Sequence, residues 1–326
     1  MNITQLLSRR RALHAILAGT ALAAGLVSPT LAYPERPIEV VVPYAAGGGT
    51  DAVARAYADA VRKHLPQPVV VVNKTGAGGA IGLTEVMNAR PDGTKIGMGT
   101  VEITMLPHMG VAKFGVDDFV PIVMLNQEPA AITVRTDSPW TTVEAFLAHA
   151  KAKPAEVRVG NSGTGAIWHI AALSLGEKTG AQFLHVPYAG ANPAVADLLG
   201  GHIEAVTVSP PEVAQHVASG KLRLLAVMSA QRAPKFPQVP TLKERGVDVQ
   251  ISTWRGLVAP KGTPEIMLSV LREASRKAVQ EPAFRSTMDR LDLNAVTIEG
   301  DAFRDIMRRD NEFFKGVFAK LPVATK

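Results

Sequence analysis

The chain contains no cysteine among its 326 residues. This absence excludes a disulfide framework, thiol catalysis, metal sites built from cysteine and a lipid anchor on an N-terminal cysteine. It is compatible with an exported bacterial protein, although it does not by itself indicate export.

The motifs of several enzyme classes are also missing. Residues 47–51 read Gly-Gly-Gly-Thr-Asp, which lacks both the G-x-G-x-x-G spacing of a dinucleotide-binding fold and the lysine of a P-loop. Residues 160–163 do not form the G-x-S-x-G of a nucleophile elbow, and the histidines are dispersed with no H-x-x-x-H pair. The sequence therefore predicts no cofactor and no metal. An exported hydrolase or transferase acting on a small anionic substrate stays as the alternative function.

Long apolar runs are missing after the first 32 residues, which resemble an export signal. Arg9, Arg10 and Arg11 form a basic segment, an apolar stretch follows, and Ala32 offers a cleavage site. The apolar stretch of about 15 residues is shorter than the roughly 20 that span a bilayer, which disfavours an uncleaved anchor. We predict a signal peptide over residues 1–32, either a Sec or a twin-arginine signal, and a periplasmic protein.

Strong charge of one sign is missing as well. Removal of the three signal arginines lowers the formal net charge from +6 to +3. The remaining excess is weak and scattered, so the composition gives no support for nucleic-acid binding.

The most informative segment present is residues 38–51, a valine-rich run followed by three glycines. It predicts a buried strand, a tight loop and then a helix capped by Thr50 or Asp51. The first amides of a helix have no intrahelical partner and lie at the positive end of the helix dipole. Such a loop attracts a carboxylate or phosphate without any basic side chain.

The same order of strand, glycine-bearing loop and helix recurs along the chain, for example in a predicted helix over 164–179. Apolar runs predict strands at 38–42, 69–72, 95–99, 120–125, 130–135, 157–160, 183–187, 203–208, 222–228 and 254–259. This alternation predicts an α/β fold with doubly wound parallel sheets, in which ligands lie beyond the carboxyl ends of the strands. Glycine loops occur there in both halves of the chain, so we expect two lobes that face each other across a cleft.

Several short motifs follow one another in a fixed order. They are residues 43–51 (PYAAGGGTD), 73–79 (NKTGAGG), 91–93 (PDG), 186–194 (VPYAGANPA), 197–201 (DLLGG) and 254–260 (WRGLVAP). Each motif is weak alone, but the ordered set covers essentially the whole chain after residue 32. It resembles the tripartite tricarboxylate transporter solute receptors, the TctC or Bug family.

The resemblance implies a periplasmic-binding-protein-like architecture, with two doubly wound lobes joined by two crossover strands. Lobe 1 would comprise residues 33–131 plus 255–326, and lobe 2 residues 132–254, with hinges near 130–134 and 252–256. It implies a receptor, not an enzyme, that closes around a small carboxylate and delivers it to the membrane permease of a tripartite tricarboxylate transporter. We expect a monomer.

The expected ligand contacts come from the glycine loops and from the ends of strands in the second lobe. They are Ala46, Gly47, Gly48, Gly49, Thr50, Asp51, Gly78, Thr100, Asn161, Ser162, Thr164, His169, Tyr188 and Ser209. Structural alternatives stay open: Asp51, Asn161, Ser162 and Thr164 as helix caps, His169 as a structural donor, and Tyr188 and Ser209 as packing residues. Glu102 is unexpected, because a carboxylate in the cleft repels an anion unless it meets an ammonium or hydroxyl group or points away.

Overall fold

The structure is a computed structural model that describes residues 33–44, 46–188 and 190–320. The predicted signal peptide, Ala45, Ala189 and residues 321–326 lie outside this part of the chain. The described strands form two sheets of six and five strands. They are β1 (Ile38–Val42), β2 (Val69–Asn73), β3 (Lys95–Thr100), β4 (Phe119–Pro129), β5 (Ala131–Arg135), β6 (Arg158–Asn161), β7 (Leu184–Pro187), β8 (Ala205–Val208), β9 (Leu222–Val227), β10 (Ser252–Pro260) and β11 (Ala295–Glu299).

Helices alternate with these strands, as the sequence predicts. The α-helices of the described residues are α1 (Gly49–Val61), α2 (Ala80–Met87), α3 (Val143–Ala152), α4 (Ile167–Thr179), α5 (Ala191–Leu199), α6 (Pro210–Ala218), α7 (Glu265–Ala278), α8 (Pro282–Arg290) and α9 (Gly300–Lys320). Among the helices described here, none has the length and apolar character needed to cross a membrane.

The first sheet has the strand order β11-β4-β10-β3-β1-β2. Strand β1 pairs in parallel with β2 and β3, whereas β10 pairs antiparallel with β3 and β4. Val40 and Val42 pack on one face of the sheet with Tyr57 of α1, and Val41 packs on the other face. Burial on both faces explains why this strand is an unbroken apolar run.

The second sheet has the order β7-β6-β8-β5-β9. Strands β6, β7 and β8 are parallel, but β5 pairs antiparallel with both β8 and β9. The α/β architecture is therefore confirmed, whereas the expectation of parallel sheets holds for only part of each sheet, because both are mixed. The chain crosses between the sheets and returns, so the returning strands run opposite to their neighbours.

Two crossover segments connect the sheets and are hydrogen-bonded to each other. Strand β4 continues through Ala130 into β5, and β10 returns beside β4 with Ser252 opposite Pro129. The Ala130 amide donates to the Ile251 carbonyl at 2.8 Å, and the Met228 amide donates to the Ala130 carbonyl at 2.7 Å. The carboxyl ends of β1, β3, β6 and β8 all lead into the loops that carry the predicted contacts.

Candidate functional site

The loop between β1 and α1 presents backbone amides at an exposed helix end. Residues 46–49 are exposed, and Gly47 adopts a φ of +85°, a conformation that glycine reaches without steric cost. Helix α1 begins at Gly49 with Gly48 as its N-cap, so neither Thr50 nor Asp51 is the cap that the sequence predicts. The amides of the first turn have no intrahelical partner, and they stay available to an anion.

Asp51 holds this loop in place instead of capping the helix. Its Oδ2 accepts hydrogen bonds from the Gly47 amide and from Arg55 Nε, both at 2.9 Å, and its Oδ1 accepts one from Asn73 Nδ2 at 2.9 Å. Burial raises the pKa of Asp51, but these three donors together bring the pKa below its ordinary value. The carboxylate is therefore ionised, and its hydrogen bonds are made within the protein.

The second glycine loop packs next to the first through Tyr44. The Tyr44 hydroxyl lies 3.1 Å from Oγ1 of Thr100 and 3.5 Å from the carbonyl of Gly78. Gly78 is exposed and has a φ of +64°, and a Cβ on Gly79 would lie 3.1 Å from the Tyr44 hydroxyl. Thr100 itself is buried at the end of β3. The close approach of Tyr44 explains a glycine at position 79.

Arg255 on β10 was not among the predicted site residues, and it joins several of them. The side chain is only 9% exposed; its Nε donates to Thr50 Oγ1 at 3.0 Å, and its Nη1 donates to Asn126 Oδ1. A Cβ built on Gly49 would lie 3.2 Å from Nη2 of Arg255. Within the described ranges, Nη2 makes no hydrogen bond. The guanidinium and the amino end of α1 thus meet at one place, and both favour an anion.

Three glutamates lie near this guanidinium. Burial raises the pKa of Glu102, whereas hydrogen bonds from Thr100 and Tyr44 and the charge of Arg255 lower it. Burial likewise raises the pKa of Glu128 to about 7, although the Asn294 amide, Asn126 and the charge of Arg255 lower it. Arg255 lies on β10 opposite Thr100 of β3 on one side and Asn126 of β4 on the other. This strand pairing explains why Glu102 and Glu128, each two residues further along the chain, lie near the guanidinium.

The third glutamate comes from the second sheet. Glu212 lies in the first turn of α6, where its Oε2 accepts hydrogen bonds from the amide and the hydroxyl of Ser209 at 2.7 and 2.8 Å. Burial raises its pKa, whereas Ser209, the charge of Arg255 and the Trp168 side chain lower it. Glu212 and Glu128 also interact electrostatically. Ser209 therefore acts as a helix cap, and it brings a carboxylate of the second sheet toward Arg255.

The loop after β6 carries further predicted residues. Asn161 is fully buried; its Oδ1 accepts from the Gly163 amide at 3.0 Å, and its Nδ2 has no partner among the described residues. Ser162 is partly exposed and Thr164 is exposed. Helix α4 begins at Ile167, three residues later than predicted, because Gly163 and Gly165 adopt positive φ values of 126° and 76°. An unpartnered buried amide donor suits an acceptor that comes from outside the chain.

His169 and Tyr188 both have structural partners. The Nδ1 of His169 accepts from the Gly165 amide at 3.0 Å. Burial, helped by the nearby His185, lowers the pKa of His169 to about 4, so the ring is neutral, with its hydrogen on Nε2. The Tyr188 hydroxyl donates to Asp197 of α5 at 2.7 Å. These contacts favour the structural alternatives for both side chains without testing their contact with a ligand.

No cluster of three metal-binding side chains occurs in the described residues. A cavity of about 740 Å³ lies at the crossover strands, where Gln127, Ser252, Asn294, Asp310 and Phe313 are among its lining residues. None of the predicted contact residues lines that cavity. The candidate site is therefore the region around Arg255 and the glycine loops.

Comparison with known proteins identifies the family. The sequence model of one protein family, described as the tripartite tricarboxylate transporter family receptor, matches residues 53–312. The chain belongs to this family. It is 34% identical to protein BugT of Bordetella pertussis over 292 residues, which cover 87% of each chain.

Solved structures of similar proteins agree with this assignment. A TctC solute-binding protein from Polaromonas is 52% identical, with a TM-score of 0.78 over 89% of this chain and all of that one. MatC from Rhodopseudomonas palustris, solved with bound malate, is 26% identical, with a TM-score of 0.77 over 88% of this chain and 100% of that one. These findings confirm the predicted family and fold class of this receptor-family member.

A charged residue inside an apolar strand was the signal that could have found Arg255. Residues 254–260 are otherwise apolar, and a charge in a central strand requires a partner. Glu102 was noted from the sequence, whereas Glu128 and Glu212 were not. Glu212 stands three residues after Ser209, the spacing of a capping box, and this pattern does not reveal what else the carboxylate faces.

Proposed function

We propose that this family member is a periplasmic receptor that binds a small carboxylate between its two lobes. The observation that carries the proposal is the nine-tenths buried guanidinium of Arg255 beside the first amides of α1. Two positive groups held together repel each other unless an anion lies between them, and here residues 46–49 of the loop are also exposed. The malate bound by MatC supports a carboxylate as that anion.

The proposed mechanism is hinge closure around the solute. Lobe 1 (33–131 plus 255–326) supplies residues 46–51, Gly78 and Thr100, and lobe 2 (132–254) supplies Asn161, Ser162, Thr164, His169, Tyr188 and Ser209. A solute that contacts both lobes makes some contacts only in the closed state, and it therefore increases the population of that state. The crossover segments near residues 130–134 and 252–256 are the proposed hinges.

The wider biological role follows from the same proposal. A cleavable signal over residues 1–32 would direct the chain to the periplasm by the Sec or twin-arginine route. There the receptor, as a monomer, would deliver its solute to the membrane permease of a tripartite tricarboxylate transporter. It would perform no covalent chemistry.

A thermal-shift screen followed by calorimetry tests the receptor proposal. The mature chain is screened against di- and tricarboxylates, aromatic acids and acidic amino acids, and we expect at least one to raise the melting temperature. Binding to none of them, together with turnover of an ester or phosphate, would favour the hydrolase or transferase instead.

A glycine variant tests the position of the site. Gly48 has a φ of −79°, which any residue adopts, so Gly48→Leu should fold normally while its side chain blocks the exposed amides. We expect it to abolish binding. Gly316→Leu on exposed α9, where a Cβ meets nothing within 4 Å, is the matched control and should bind as the wild type does. Equal affinity of the two variants would remove residues 46–51 from the site.

A further inference from the structure

A contact between the two proposed lobes lies outside the crossover strands, at Lys235. The Nζ of Lys235 donates hydrogen bonds to the backbone carbonyl and to Oδ1 of Asp289, both at 3.1 Å, and lies 4.0 Å from Oδ1 of Asp292. Lys235 follows β9 of the second sheet, whereas Asp289 lies on α8, which packs on the first sheet through Phe284. The Asp289 carbonyl is near the carboxyl end of α8, the negative end of the helix dipole, which favours a cation.

The segment that carries Lys235 is fixed to the part of the chain that forms the second sheet. Ala233 and Phe236, on either side of Lys235, are buried. Arg232 donates from Nε to both carboxylate oxygens of Glu244 at 3.0 Å. Any movement of lobe 2 relative to α8 therefore carries Lys235 with lobe 2.

The Lys235 contact and the candidate site lie on opposite sides of the crossover strands. Successive side chains of a strand point to opposite faces. On β4, Asn126 accepts a hydrogen bond from Arg255, so its neighbour Gln127 faces the other way. Gln127 and Asn294 line the cavity of about 740 Å³, and Asn294 also lines a second cavity, of about 370 Å³, together with Lys235. Lys235 is therefore on the cavity side of these strands, away from Arg255.

This placement determines when the contact can exist. The crossover segments near residues 130–134 and 252–256 are the proposed pivot, and a rotation that brings groups together on one side of a pivot separates groups on the other. Residues 46–49 and Thr164 are exposed in the structure that contains the Lys235 contact, so the contact coexists with accessible site loops. Closure around a solute would pull the ammonium away from Asp289.

We propose that Lys235 is a latch that holds the ligand-free receptor open by binding Asp289 at the carboxyl end of α8, and that solute binding must break this contact. This inference rests on the proposed receptor function and adds a control on its closure. Because the latch stabilises only the open state, it reduces the closed fraction in the absence of solute and lowers the apparent affinity by the same factor. It also keeps an empty receptor different in shape from a loaded one, a difference that a membrane permease can detect.

Energy transfer between two fluorescent labels tests the latch without any solute. The labels are placed at Thr75→Cys and Asn192→Cys, exposed positions of the two proposed lobes. In the ligand-free protein, Lys235→Met should raise energy transfer above the wild-type value. Lys63→Met is the matched control, because it breaks an exposed lysine–carboxylate pair with Glu281 at 2.7 Å inside lobe 1 and should leave energy transfer unchanged.

A charge exchange distinguishes the ion pair from a general effect of the substitution. Lys235→Glu places a carboxylate beside Asp289 and Asp292 and should raise energy transfer at least as much as Lys235→Met does. The double variant Lys235→Glu/Asp289→Lys restores opposite charges and should return energy transfer toward the wild-type value. An increase from about 20 mM to about 500 mM NaCl should raise energy transfer in the wild type but not in Lys235→Met, because salt screens exposed pairs. Urea unfolding checks that each variant is folded.

The outcomes separate this inference from the receptor proposal. Any acid of the thermal-shift screen that binds the wild type, malate among those tested, should bind Lys235→Met about twofold to fivefold more tightly. Unchanged or lower energy transfer in ligand-free Lys235→Met, or equal affinity of the two proteins for that acid, would overturn the latch and leave the receptor proposal intact. If no acid binds, the receptor proposal fails, whereas the ligand-free measurement still decides whether Lys235 restrains the two lobes.

Discussion

At the scale of single residues, Arg255 determines the electrostatics of the candidate site. Its strand pairs with both β3 and β4, so its side chain lies among groups from distant parts of the chain. It donates hydrogen bonds to Thr50 and Asn126, and its charge offsets part of the desolvation cost of three glutamates. One guanidinium thus serves both the packing between strands and the attraction of an anion.

Replacement of Arg255 should affect stability and binding together. Arg255→Met removes the guanidinium hydrogen bonds to Thr50 and Asn126. It also removes a positive charge that acts on all three glutamates. We expect a loss of about 1–3 kcal/mol in the free energy of unfolding and of roughly tenfold or more in ligand affinity. Urea unfolding and calorimetry measure the two effects. Arg36→Gln breaks an exposed pair with Asp92 and should cost less than about 1 kcal/mol.

Glu128 should make stability depend on pH. Its pKa in the folded protein, about 7, lies above its ordinary value of 4.5, so the folded state binds more protons between these values. Its contribution to stability is therefore complete below about pH 4.5 and is lost as the pH rises through 7.

The variant Glu128→Gln imitates the protonated carboxyl and can still accept from Asn126 and Asn294. We expect it to be more stable than the wild type at pH 8 by up to about 3 kcal/mol and equal to it at pH 4.5. Urea unfolding of both proteins at each pH gives the difference in unfolding free energy between variant and wild type. The other titrating groups are the same in both proteins, so their effects cancel in this difference. A difference that does not change with pH would contradict the assignment.

At the scale of elements, the β1–α1 unit is held by contacts that lie away from the proposed ligand. Asp51 in the first turn of α1 accepts from the Gly47 amide and from Asn73 at the end of β2. These bonds do not use the amides of residues 48–50, which lie at the amino end of the helix. The element is therefore pre-organised before any solute arrives, and this lowers the entropy lost on binding.

Removal of the Asp51 carboxylate should release this loop. Asp51→Ala leaves the Gly47 amide without its acceptor and Asn73 with only the Tyr44 carbonyl, so we expect a loss of about 2 kcal/mol in stability and weaker ligand binding. Arg55→Ala removes only the half-exposed partner of Asp51 and should cost less than about 1 kcal/mol. Chemical unfolding and titration calorimetry compare them. Equal losses would mean that the surface ion pair, and not the loop, carries the effect.

At the scale of the whole molecule, paired crossover segments connect the two sheets, and these segments are the hinges of the proposed function. The backbones of Ala130, Met228 and Ile251 are hydrogen-bonded to one another, so we expect the proposed change in lobe orientation to be concentrated in few residues. Such a joint permits closure without repacking of either sheet.

Ligand binding should shorten the distance between the lobes. Because the chain has no cysteine, Thr75→Cys and Asn192→Cys introduce the only labelling sites, one at an exposed position of each half. We expect energy transfer between the two labels to rise on addition of a binding acid. The same pair in a Gly48→Leu background should show no rise at equal concentration. An unchanged signal in the presence of bound ligand would contradict hinge closure.

Much of the fold was predictable because it depends on local patterns. The apolar runs at 38–42 and 222–228 are strands β1 and β9, within a residue at each end. The errors arise at helix starts and in strand direction. Two positive-φ glycines delay α4 to Ile167, and the antiparallel direction of β5 and β10 follows from how the chain crosses between sheets.

The sequence by itself determined the alternation of strands and helices, the exposed glycine loops and the family. Side-chain periodicity, glycine placement and motif order are local properties, and they persist whatever the strand pairing. Only the tertiary structure decided that Arg255 lies beside Thr50 and near Glu102, Glu128 and Glu212. These residues come from separate strands and helices, and the pairing of β10 with β3 and β4 brings them together, because strand register is set by contacts between distant segments.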